Sequence, residues 1–314
     1  MQKKFVPVMI TPYDLKAKID FGVVETLIDF YLAAGVKGFF ANCLSSEMYS
    51  ISEDERLELT RHVVNYVNGR VPIVATGSFG LTIEDKAEFV KKIADTGIDS
   101  VILITGHFAH VDEPDEVLWQ RFEKLFALTG DIPLGLYECP APYKRLISPE
   151  ILKRLLDTNR LNYHKDTSCN VDSVREKLAI AAGSKLEFYD AHTPNAVASL
   201  QMGAVGMSSI SGNFYPEILV WLCNHANDPA RQEDVAWIQA ELQRVDPLIH
   251  IAYPMSAKYF LQLRGLPIRT ISRAHALELT PEQKEVLNNI YQDFKRWCKR
   301  LNIREALTET AVSH

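Results

Sequence analysis

Apolar residues recur along this chain in two alternating rhythms. Val24, Leu27, Ile28, Tyr31 and Leu32 fall at helical spacing and stop before Gly35, a residue suited to a helix C-cap. Short apolar runs without that spacing lie between such segments and read as strands, at residues 5–10, 38–43, 72–77, 100–105, 133–138, 163–165, 186–190 and 205–209. Helical patterns at 23–34, 52–67, 82–96, 113–129, 149–158, 171–182 and 194–202 separate them. Eight strand-helix units within roughly 220 residues, joined by short connections, predict a (β/α)8 TIM barrel rather than an open doubly wound sheet. The G-S-F-G run at Gly77 to Gly80 lacks the G-x-G-x-x-G spacing of a dinucleotide fold. From Pro216 the pattern is helical only, with helices expected at 229–244, 255–263 and 281–301. The chain therefore divides into a barrel over 1–215 that carries the active site and a C-terminal helical extension over 216–314. No Pro/Gly/Ser-rich linker separates the two, so the extension is expected to pack on the barrel.

Composition narrows the function classes. The 314 residues are 47% hydrophobic with a net charge of -6 and interspersed signs, which excludes a nucleic-acid surface. Five cysteines without a C-x-x-C pair fit reduced thiols and imply no zinc site. The first apolar run is too short for a signal-peptide core and nothing later approaches a membrane span, so a cytoplasmic location is expected.

The stretch L-N-Y-H-K-D-T at 161–167 puts a lysine inside a strand that should be buried on both faces. Desolvation lowers a lysine's pKa from about 10.4, and a drop of three units is roughly 4 kcal/mol in favour of the neutral amine. A neutral amine attacks a carbonyl carbon, the first requirement of Schiff-base catalysis. Alternatively, Lys165 could simply pair with Asp166 or another carboxylate at a strand end. Its neighbour His164 should point away from the barrel interior and be a satisfied structural histidine. In a barrel of this kind the active site is built at the C-terminal ends of the strands. Those positions hold Cys43 to Glu47, His107-Phe108, Tyr137 to Pro140, Lys165 to Thr167, Asp190 to His192 and Ser208-Ser209.

At these residues the chain resembles the dihydrodipicolinate synthase and N-acetylneuraminate lyase family of pyruvate-dependent aldolases. The likeness runs through T-P-Y, S-S-E, Y-E-C-P, K-D-T-S, G-A-V-G-M-S-S-I-S-G-N and K-Y-F-L-Q-L-R-G-L, nearly the whole chain. It implies that Lys165 forms a Schiff base with the keto carbon of pyruvate and that Tyr137 shuttles protons. It also implies that Ser45, with Ser46 and nearby backbone N–H groups, holds the pyruvate carboxylate, and that Ser208 lies near the imine. No cofactor or metal is implied, and a homodimer or homotetramer is expected.

The departures bear on the substrate. Leu44 replaces a threonine, and Phe108 replaces a tyrosine that in the synthase branch reaches across a subunit interface. Pro140-Ala141-Pro142-Tyr143 lacks that branch's arginine for a second carboxylate, leaving Lys144 or Arg145 as substitutes. Thr193-Pro194 and Ile210 differ from the sialic acid lyases. His107, His192 and Asp190, with Tyr143 and Ser209, are expected to contact the rest of the substrate. The expected activity is a Schiff-base lyase or aldolase on a 2-keto acid with pyruvate as the constant half, acting on a 2-keto-3-deoxy sugar acid or a sialic-acid-like substrate. The alternatives are dihydrodipicolinate synthase activity, a 2-keto-3-deoxy acid dehydratase, and a non-catalytic keto-acid sensor.

Overall fold

The computed structural model describes residues 2–275 and 278–306. Eight parallel strands alternate with helices: β1 Lys4–Phe5, β2 Phe39–Asn42, β3 Ile73–Thr76, β4 Ser100–Ile104, β5 Leu134–Tyr137, β6 Leu161–Asp166, β7 Glu187–Asp190 and β8 Gly206–Met207. Helices α1 Phe21–Ala34, α2 Glu53–Val67, α3 Ile83–Ala94, α4 Asp115–Thr129, α5 Pro149–Asp157, α6 Val171–Ala181, α7 Ala196–Met202 and α8 Pro216–His225 surround them. The strand order β1-β8-β7-β6-β5-β4-β3-β2 curls the sheet into a (β/α)8 barrel.

Pro7 sets the seam. It has no N–H to donate, so the pairing of β1 with β8 ends at the bond from Val6 N to Met207 O (3.0 Å). The chain then turns to β2, where Phe40 N donates to Pro7 O and Met9 N to Phe40 O, each at 3.0 Å. This is why the expected first strand over 5–10 is split between two neighbours. Gly206 is needed on the other side of the seam, because a Cβ there would collide with the Lys4 carbonyl oxygen.

Helix starts follow their capping residues. Ser52 and Glu55 form a reciprocal capping box at α2, with Glu55 N to Ser52 Oγ at 3.2 Å and Ser52 N to Glu55 Oε2 at 2.9 Å. Strand alternation sends Val6, Val8, Phe40, Val74, Ile102, Ile104, Tyr137, Tyr163 and Tyr189 into one cluster inside the barrel. Tyr163 and Tyr189 stack there with centroids 4.6 Å apart.

Beyond the barrel lie α9 Gln232–Ile249, α10 Met255–Leu263 and α11 Pro281–Leu301. Residue 216 is not the start of the extension. Helix α8 packs on β1, β8 and α1, completing the eighth unit, so the additional helices begin at α9. Phe260, Phe294 and Trp297 share one apolar core with Phe30 and Tyr31 of α1 and with Ile218 and Leu222 of α8. Each such fully buried side chain contributes about 1.5–3 kcal/mol, which joins extension and barrel firmly. Inside this core Arg264 pairs with Glu217, its Nη1 3.0 Å from Oε2. Among the described residues no helix is long and apolar enough to cross a membrane.

Candidate active site

A cavity of about 590 Å³ opens at the C-terminal ends of the strands. Lys165, Tyr137, Ser45, Thr167, Ser208 and His192 line it from the barrel, while Asp246, His250, Tyr253, Ala274 and His275 line it from the region beyond α8.

Lys165 projects inward from β6 and is 4% exposed. Its Nζ lies 4.4 Å from the centroid of the Tyr137 ring and 5.6 Å from that of Phe40. Among the described residues it has no ion pair, so the strand-end pairing with Asp166 considered from the sequence is absent. Burial brings its pKa down to about 8, with the Cys43 and Cys139 thiols opposing weakly. About a tenth of it is then neutral at pH 7. Tyr137, the register partner of Lys165 on β5, is pushed well above the usual phenol range by burial and then by Cys139. It is therefore a proton donor at neutral pH, beside a latent nucleophile.

The even positions of β6 face the helices. His164 is fully buried there, as alternation predicts, but neither ring nitrogen makes a hydrogen bond with a described residue; Nε2 stands 3.7 Å from Glu138 Oε1. Lys177 of α6 reaches between Glu138 Oε1 (2.5 Å) and Asp166 Oδ2 (2.7 Å). Glu138, His164 and Asp166 bring ligand-type atoms within 4.8 Å of one another, and the Lys177 ammonium already pairs with the two carboxylates. Burial raises the Glu138 carboxyl, but the Lys177 ammonium and the hydrogen bond from Ile147 N outweigh it and hold the group at about 2. Glu138 also accepts from Ile147 N at 2.8 Å, fixing the loop that carries Lys144.

Five residues expected at the site lie outside this cavity. Ser46 turns inward to donate to Met9 O (2.6 Å) and accepts from Cys43 N (3.1 Å), bracing the turn that presents Ser45. Asp190 is buried against α7, where it accepts from Ser199 Oγ and from His192 N (2.7 Å); burial raises its pKa to about 6. It points outward because Tyr189 takes the inward position of β7. His107 sits in an adjoining 230 Å³ depression, held between Ser78 O (2.7 Å) and Tyr49 Oη (2.8 Å), and burial lowers its pKa to about 4. Neither Tyr143 nor Ser209 lines the cavity, and Phe108 stacks on Phe122 in the helix layer. Of the two possible arginine substitutes, Arg145 is spent on His110 O, Val111 O, Glu113 O and Asp115. Lys144 is the one at the cavity, its Nζ 2.6 Å from Thr167 O.

The sequence gives no motif for Asp246, His250 or Tyr253, which tertiary docking alone brings to the mouth. Glu47 also lines the cavity, and φ of 58° aims its carboxylate at Lys258 Nζ (2.7 Å), Ser272 Oγ (2.8 Å), Arg273 N (2.6 Å) and Ala274 N (2.9 Å). This latch holds the segment whose Ala274 and His275 line the cavity.

Comparison with known proteins agrees with this architecture. The model of the dihydrodipicolinate synthetase family matches residues 1–293. The chain is 26% identical over 300 residues to a 4-hydroxy-tetrahydrodipicolinate synthase of Oceanobacillus iheyensis, covering 93% of this chain and 97% of the relative. It is 27% identical to that of Bacillus subtilis, covering 90% and 95%. The fold superposes with a TM-score of 0.84 on the 4-hydroxy-tetrahydrodipicolinate synthase of Methylacidiphilum fumariolicum, at 20% identity and covering 96% and 98% of the two chains. The chain belongs to the dihydrodipicolinate synthetase family and is an enzyme of its carbon–carbon lyase, class I aldolase type.

Proposed function

We propose that this enzyme holds pyruvate as an imine on Lys165 and joins it to an aldehyde, in the manner of a 4-hydroxy-tetrahydrodipicolinate synthase. The observation that carries the reading is Lys165 itself: a buried amine with a pKa of about 8 beside a protonated phenol, in a cavity large enough for two small substrates. The amine adds to the keto carbon and water leaves. A C3 proton lost to water gives an enamine, whose C3 attacks the aldehyde carbon while Tyr137 protonates the new alkoxide; the released proton returns to Tyr137, and water hydrolyses the product imine to free Lys165. Ser45 and Ser208 hold the keto acid around the imine.

Relatives named as synthases favour an aspartate-semialdehyde acceptor over the sugar acid expected from the missing arginine. Lys144 supplies a cation at the mouth for the acceptor's carboxylate. A sugar-acid reading keeps one supporting observation, the polar rim of His192, Asp246 and His250. Exposed Leu81 and Val111 suit burial in a homodimer or tetramer.

The test is borohydride reduction in the presence of pyruvate, followed by an acceptor screen. A pyruvyl adduct confined to Lys165, with the highest kcat/KM for aspartate semialdehyde, is the expected result. An adduct that survives Lys165→Ala rejects the mechanism. Preference for 2-keto-3-deoxy sugar acids, in cleavage or dehydration, rejects the acceptor only. An adduct without turnover on any acceptor identifies a sensor.

A further inference from the structure

Asn213, buried in the turn after β8, is an orientation device. Its side chain meets three partners: Val8 O at 2.8 Å from Nδ2, Tyr253 Oη at 2.6 Å from Nδ2, and Tyr31 Oη at Oδ1. A carbonyl oxygen only accepts, so the end of the amide facing Val8 must be the nitrogen. The second Nδ2 hydrogen then goes to Tyr253, whose oxygen acts as acceptor. Tyr31 is left as donor to Oδ1. The Tyr253 proton consequently has to leave on the far side, towards the cavity that Tyr253 and Ser45 both line. An amide does not pass protons as a hydroxyl chain does, so this arrangement fixes a donor rather than building a relay.

We propose that Tyr253 is a further substrate-binding residue, donating a hydrogen bond from outside the barrel to the keto-acid carboxylate that Ser45 receives. The assignment rests on the pyruvate reading given above. Burial, the largest influence on the phenol, raises its pKa above the usual range, so the donor stays protonated wherever the enzyme works. Asn213 acts through Tyr253 and is a positioning residue.

The experiment compares Tyr253→Phe with the unaltered enzyme in borohydride trapping at Lys165, titrating pyruvate and, separately, its uncharged methyl ester. A hydrogen bond to a charged group is lost only with the acid. Half-saturation for pyruvate should rise about ten- to hundredfold in the variant, while that for the ester stays within about twofold. Equal shifts for acid and ester, or no shift for the acid, overturn the assignment of Tyr253 and leave the Schiff-base reading standing. Failure of the unaltered enzyme to form any pyruvate adduct at Lys165 overturns both. Tyr253→3-fluorotyrosine gives a second readout in a full-length, minimally altered chain: its fluorine resonance should move on adding pyruvate but not the ester. An unmoved resonance with pyruvate rejects the contact.

Discussion

Lys165 and Tyr137 face each other across adjacent strands, and the ammonium has the Tyr137 ring 4.4 Å away where a carboxylate would ordinarily stand. A ring face stabilises an ammonium by about 0.5–2 kcal/mol, less than desolvation costs it, so the equilibrium shifts towards the neutral amine.

Imine formation should therefore follow deprotonation of Lys165. At low, fixed pyruvate, the trapping rate is expected to climb about tenfold per pH unit up to about 8 and then level off. A midpoint at the ordinary lysine value would contradict the desolvation argument. The same lowered pKa has a sign for stability. The folded state binds fewer protons than the unfolded state between about 8 and 10.5, so the cost of burying Lys165 is full below that window and vanishes as pH rises through it. Lys165→Met should raise the melting temperature at pH 7 and confer no advantage near pH 11.

Tyr137→Phe should still yield the pyruvyl adduct, because the phenol is not the nucleophile. Turnover should fall by about two to four orders of magnitude, the usual worth of a positioned proton donor. Near-normal turnover would mean that another group protonates the alkoxide.

Lys177→Met leaves Glu138 and Asp166 buried without their shared cation. A loss of about 3–5 kcal/mol is expected in denaturant melts, with partial recovery on adding Glu138→Gln. Wild-type stability in the single variant would show that water, not Lys177, satisfies the pair.

His192→Ala and Lys144→Ala should each raise KM for the acceptor several-fold while leaving half-saturation for pyruvate in the trapping assay unchanged, since both side chains stand at the mouth. A carboxylated acceptor should suffer more from the Lys144 change than an uncharged aldehyde does. Equal losses would remove Lys144 from carboxylate binding.

The alternation of rhythms made the barrel legible, and the period of two correctly sent His164 outward and Lys165 inward. It also accounts for where Asp190 points. Asp190 is polar and ends a strand, but the next position inward is Tyr189, and the carboxylate is consumed by Ser199 and a backbone N–H. Ser46 and His107 are likewise taken up by backbone carbonyls distant in sequence, Met9 O and Ser78 O, which composition does not reveal. Asp246, His250 and Tyr253 were illegible for a different reason. They occur in a region whose pattern is helical only, and the packing of α9 on α7 and the 193–195 turn, and of α10 on the 210–213 turn, delivers them to the strand ends.

The Glu47 latch has a consequence for biosynthesis. Its carboxylate is emplaced early, yet Ser272 lies 225 residues downstream. While the nascent chain is still on the ribosome, all eight strands and the nucleophile can be present before the latch has its partners. The part of the cavity wall made by Tyr253, Ala274 and His275 thus arrives last in synthesis, after the nucleophile it encloses.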